Sequence, residues 1–132
     1  MLQMMALMRN HGMLTDVILE VGAESFHAHK VVLAAASPYF KAMFTGGLRE
    51  CETSHVKLQG ICQATMARLL HFMYTGEIKV TEVTVCQILP AATMFQVSEL
   101  IFLLVRSSTI LISSWNDHDH RFPMLSMLVV IF

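Results

Sequence analysis

The 132-residue chain has little charge: Asp, Glu, Lys and Arg make up 14% of it, against about 25% in an ordinary soluble domain. Nine basic and ten acidic residues leave a net charge of −1. They form no basic run or stripe, so direct nucleic-acid binding is not indicated. Three cysteines, Cys51, Cys62 and Cys86, make no Cys-x-x-Cys pair. An odd, scattered set suits a reducing compartment rather than a disulfide framework. The N-terminus MLQMMALMRNHG carries no long apolar stretch of the signal-peptide kind. The cleanest apolar runs, Ile101–Val105 and Met124–Phe132, fall well short of the ~20 residues a membrane helix needs. There is no Gly-x-Ser-x-Gly, no paired carboxylates in a recognisable cleft and no phosphate-binding loop: Gly46-Gly47 leads into Leu48-Arg49-Glu50, not Gly-Lys-Ser. These absences argue against an enzyme, a cofactor site or a membrane protein.

What remains is grease. The chain is 55% hydrophobic and holds 11 methionines. One domain of this length buries roughly two-thirds of its unfolded surface, so the surplus points to a large interface. Leu2, Met5, Ala6 and Met8 recur at helical spacing before Gly12, giving a short methionine-rich helix. Methionine suits adaptable contact surfaces, and a terminal helix has little of its own chain to cover its far side. A partner chain is therefore expected on Leu2, Met5 and Met8, the alternative being a helix packed on its own core.

Alternation in TDVILEV (15–21) sets Val17, Leu19 and Val21 on one buried face of a strand. A turn at 22–25 and a return strand at 25–28 complete a hairpin. KVVLAAA (30–36) reads as a buried helix. Ser37 is placed to cap the next helix, with Pro38 in its first turn, and Tyr39 or Phe40, Met43 and Phe44 share one face of it. Gly46 is expected to stop it in a left-handed conformation. SHVKL (54–58) alternates as a strand. Met66, Leu69, Leu70 and Met73 stripe a helix ending at Thr75-Gly76. Ile78 and Val80 mark a strand. A last helix from about Thr84 carries Val85, Ile88, Leu89, Ala92 and Phe95, with Pro90 expected to kink or split it. The fold class is α+β, a small mixed sheet flanked by short helices.

The string HAHKVVLAAASPYFKAMFTGGLRE, followed by FMYTGEI and LPAATMFQV, resembles the BTB (POZ) domain of kelch-like proteins over roughly residues 4–100. MLTDVILEV, VTEVTVC and LPAATMFQV look closest to an insect form of that family's electrophile-sensing member. The resemblance implies a cytoplasmic or nuclear substrate adaptor of a cullin-3 ubiquitin ligase in an oxidative-stress response. In such an adaptor the BTB domain forms the homodimer, by exchange of the first helix, and grips the cullin.

It further implies a charged pocket at the dimer seam, matched by Asp16 and Lys30; the alternative is that Asp16 caps a turn and Lys30 is a solvated helix start. The family's hydrophobic-x-Glu motif falls on Leu48-Arg49-Glu50. With Phe44 and Tyr74 these residues would line a groove for a helix of cullin-3, unless Phe44 and Tyr74 belong to the core.

The electrophile sensor's reactive cysteine corresponds to Thr84. Cys86, two residues on, is the redox candidate, yet with Lys79 as its only nearby positive charge it reads as a buried, unreactive thiol. Cys51 beside Glu50 and Glu52 is disfavoured as a thiolate. His27 and His29 suit hydrogen bonding at a helix start. Asp117-His118-Asp119-His120 reads as a solvated cluster, not a metal site.

The match ends near Leu100. Residues 101–132 contain no kelch repeat, so the substrate-binding region is absent. The segment reads as a truncated isoform or gene-model tail with little order of its own. A chain so shortened would pair with full-length partners as a non-productive competitor. An oligomerisation module of a transcriptional regulator is the alternative function.

Overall fold

The computed structural model describes residues 2–46, 54–106 and 127–130, with the side chains of residues 2 and 127–130 left aside. The order is α1 (Leu2–Asn10), β1 (Val17–Val21), β2 (Glu24–Ala28), α2 (Lys30–Ala36), α3 (Pro38–Thr45), β3 (His55–Leu58), α4 (Gln63–Thr75), β4 (Glu77–Val80) and α5 (Glu82–Met94). A further helix, α6, follows over 98–106, and then β5 (Met127–Val130).

β1 is the centre of a three-stranded sheet, antiparallel to β2 and parallel to β3. Its buried residues are Val17, Leu19 and Val21, as the alternation requires, while Ile18 and Glu20 are half-exposed on the other face. The parallel pairing with β3 forces a crossover, and the chain makes it through α2 and α3. β4 and β5 form a separate antiparallel pair.

The core is built on α4, which buries Thr65, Met66, Leu69, Leu70, Phe72, Met73 and Tyr74. Its stripe was legible in the sequence, and so was its end. Gly76 takes φ +75°, and its N–H bonds the Phe72 carbonyl at 2.7 Å, a left-handed cap that favours glycine. Ser37 caps α3 as expected. Its Oγ accepts from the Phe40 N–H at 3.3 Å and donates to the Phe95 carbonyl, tying α3 to the end of α5. Phe40 stacks on Phe44 and on Phe95, with ring centroids 5.9 and 5.2 Å apart.

Several expectations are corrected. Gly46 is not left-handed (φ −76°); instead a Cβ there would lie 2.8 Å from the Ala42 carbonyl oxygen, so the glycine serves close approach. The helix α2 buries only Leu33. The helix α5 starts at Glu82, because Thr81 and Thr84 form a reciprocal capping box, and it runs unbroken through Pro90, whose ring faces outward. The boundary expected at residue 100 falls inside α6. There Leu100 and Leu104, one turn apart, are both fully buried. Within the tail, residues 127–130 pair with β4.

Candidate functional site: the face around the first helix

The helix α1 packs on α4 through Met5 and Ala6, which are half-buried against the core. The expectation that α1 finds its cover on a partner chain is thus corrected in part: one face belongs to its own subunit. The other remains uncovered, with Met4 60% and Leu7 52% exposed, and the turn that follows adds Met13 and Leu14 at 55% and 81%. Met8 is half-buried. Of Leu2 only the backbone, opening α1, is described.

At its last turn α1 sets Arg9 over Tyr74, the guanidinium carbon 4.8 Å from the ring centroid. Burial pulls the Arg9 pKa below its usual value, opposed by the attraction of Tyr74. Among the described residues Arg9 Nε is buried without a hydrogen-bond partner, which costs free energy unless something further supplies an acceptor.

Beneath lies a closed set of hydrogen bonds. The Tyr74 hydroxyl accepts the backbone N–H of His29 at 2.8 Å and meets His29 Nδ1 at 2.7 Å. His29 Nε2 lies 2.8 Å from the Met13 carbonyl. A carbonyl only accepts, so Nε2 carries the proton, Nδ1 is bare, and the tyrosine O–H donates to it. Every donor then has an acceptor. Burial pushes the Tyr74 pKa up, partly offset by the His29 N–H and the Arg9 charge. The sequence expectation that His29 bonds at a helix start is met in an unforeseen way: it occupies the cap position of α2 without capping it by side chain, and instead ties the exit of α1 to α4.

The cap of α2 comes from elsewhere. Asp16 Oδ1 accepts the backbone N–H of Lys30 at 2.7 Å, placing a carboxylate at a helix start, where the dipole favours it. Asp16 and Lys30 are therefore brought together, through the lysine backbone. The Lys30 ammonium sits 5.5 Å from the Phe44 ring centroid. Residues assigned to two separate surfaces thus share one neighbourhood: Lys30 with Phe44, and its neighbour His29 with Tyr74.

Phe44 and Tyr74 are corrected as groove-lining residues. Phe44 is 9% exposed and Tyr74 fully buried, because the stack with Phe40 and the bonds to His29 use up their surfaces. Leu48, Glu50 and Cys51 lie outside the described residues, as does the cluster 117–120. Cys86 is exposed, not buried. It lies two residues before Ile88, on the side of α5 away from the buried Ile88, Ala91 and Ala92. Thr84 spends its hydroxyl on the Thr81 backbone N–H at 2.8 Å. No three potential metal ligands gather among the described residues, and no helix among them is long and apolar enough to cross a membrane.

Comparison with known proteins agrees with this fold. The BTB/POZ domain family model matches residues 5–107. Kelch-like protein 28 of mouse is 48% identical over 97 residues, covering 74% of this chain and 17% of the relative. Kelch-like ECH-associated protein 1A of zebrafish is 44% identical over 103 residues, covering 75% and 17%. The chain thus spans about a sixth of the length of these relatives. Among solved structures, the BTB domain of zebrafish PATZ1 superposes with a TM-score of 0.74 at 31% identity, covering 82% of this chain and 87% of that one. The match reaches past residue 100 to take in α6, and on this breadth of agreement the chain belongs to the BTB/POZ domain family.

Proposed function

We propose that this BTB/POZ domain is a non-enzymatic dimerisation module that holds a cullin-3 ubiquitin-ligase scaffold in the cytoplasm or nucleus. The observation that carries the dimer is the uncovered apolar face of α1 and its following turn, where Met4, Leu7, Met13 and Leu14 stand more than half exposed. Contiguous exposed apolar surface of this kind marks interaction sites. Asp16 and Lys30 lie close to the same end of the molecule, since Asp16 follows the exposed turn directly.

Support for cullin-3 is the family resemblance together with the kelch-like relatives. With Phe44 and Tyr74 turned inward, affinity for the scaffold rests on Leu48 and Glu50 beyond the end of α3. A pull-down with the N-terminal region of cullin-3 tests this. Leu48→Ala with Glu50→Ala is expected to lose capture while the dimer persists; undiminished capture would contradict the assignment.

A second reading, an oligomerisation module of a transcriptional regulator, is favoured by the likeness to the BTB domain of PATZ1. It predicts the same dimer with no cullin-3 capture by the wild type.

A further inference from the structure

The strand β4 enters the core by one face only: Ile78 and Val80 are buried, while Glu77 and Lys79 are exposed. It packs on α4 but joins no larger sheet. Among the described residues its one strand partner is β5, and β5 lies outside residues 5–107, which the BTB/POZ family model covers. Within the matched domain the edge of β4 therefore has no strand beside it. Its row of backbone N–H and C=O groups is left to be met from elsewhere. We propose that this edge is a strand-acceptor site for an extended apolar segment, and that residues 127–130 of the same chain occupy it as an internal ligand.

The register shows what such a ligand has to bring. Val130 pairs with Glu77, and Leu128 with Lys79. Neither residue type carries a charge, so no ion pair across the ladder selects this segment. Attraction falls to the backbone bonds, which an extended segment free of proline can make whatever its exact sequence. Recognition by strand addition works in this way. The exposed charges of Glu77 and Lys79 discourage indiscriminate pairing, as charges on edge strands do.

The two strands are not equally secure. The core holds β4 through Ile78 and Val80, whereas two strands by themselves are marginal in water. What favours β5 over a strand of another chain is its tether: it is joined to α6 through residues 107–126, and a tethered ligand binds at a high effective concentration. The segment thus shields the β4 edge from other chains. A chain whose own segment cannot pair accepts the same strand in trans.

The test is amide hydrogen exchange by NMR on the full chain and on a variant with Leu128→Pro and Val129→Pro. Successive residues of an antiparallel strand alternate in the direction of their N–H groups, so one of the two prolines removes a ladder donor. Both lie outside the matched domain, and the α4 amides report that the fold is kept. In the wild type, amides within Glu77–Val80 are expected to be protected. In the variant they should exchange at least about tenfold faster, with α4 unchanged. A peptide of residues 124–132, carrying added lysines for solubility, should restore protection to the variant and leave the wild type unaltered; the same peptide with both prolines should do neither. Equal exchange of β4 in the two chains, no effect of the peptide on the variant, or wild-type protection that fades on dilution, as a strand lent by a second copy would, overturns the proposal.

Discussion

The helices α1 and α4 are both rich in methionine and leucine, yet they end in opposite places. The helix α4 buries seven side chains, Thr65, Met66, Leu69, Leu70, Phe72, Met73 and Tyr74. Among the described side chains of α1 none is buried, and Met4 and Leu7 are more than half exposed. Composition is thus a poor guide to which apolar stripe a chain keeps for itself. What separates the two is position: α4 packs against α1, α2, α5 and β4, whereas α1 precedes the first strand and, among the described elements, packs mainly on α4. The apolar surface left on α1 is the surface we assign to a second copy.

That comparison can be broken most sharply from the buried core, to which α3 also contributes. Phe40, fully buried between Phe44 and Phe95, belongs to the region that should fail when truncated. Phe40→Ala is expected to cost about 3–5 kcal/mol in denaturant unfolding, the usual penalty for an emptied aromatic site. A loss below 1 kcal/mol would mean that the aromatic stack is not the packed centre described.

Removing a single oxygen probes the join between the two regions. Tyr74→Phe leaves the His29 N–H and Nδ1 without their partner and is expected to cost about 1–3 kcal/mol. It should also speed hydrogen exchange in α1, since the His29 to Met13 bond loses its anchor. Stability should respond to alkali in the matching direction. The Tyr74 pKa is raised in the folded state, so its neutral form is the one the fold prefers. That contribution is intact below the ordinary tyrosine value of about 10 and is lost as pH rises through the folded value. Tyr74→Phe should flatten this alkaline loss, and urea midpoints between pH 9 and 11 would read it.

The cap at Gly76 is a smaller matter. With φ at +75°, Gly76→Ala is expected to cost about 1 kcal/mol through backbone strain alone, read as a lowered Tm with no change in oligomeric mass.

Much of this was legible beforehand, for reasons that differ by element. β1 and α4 were visible because their burial is one-sided and strictly periodic. Ser37-Pro38 and Gly76 were visible because caps are local chemistry. The roles of Phe44 and Tyr74 were not, since an aromatic at helical spacing fits a core and a groove equally well. Distant partners decide between them: Phe95, which stacks on the Phe40 that Phe44 also meets, and His29 for the Tyr74 hydroxyl. The α5 start was missed because the reciprocal bond at Thr81 and Thr84 uses a threonine where a glutamate or glutamine is the familiar signal. Cys86 is exposed rather than buried because it falls on the side of α5 away from Ile88, Ala91 and Ala92. Asp16 and Lys30 were expected as a charged pair at a dimer seam; the contact the structure shows runs from the lysine backbone N–H to the carboxylate and caps α2, closer to the alternative of a capping aspartate.

On the α1 side, Met4→Glu with Leu7→Glu changes only exposed positions. Its effect on the unfolding free energy of the subunit is expected to stay within about 0.5 kcal/mol, as for surface substitutions generally. Sedimentation equilibrium of this variant beside the wild type, at micromolar concentration, tests the central claim most directly. The account predicts a dimer mass for the wild type and a monomer mass for a folded variant. A wild type that remains monomeric, or a variant that remains dimeric, would contradict it.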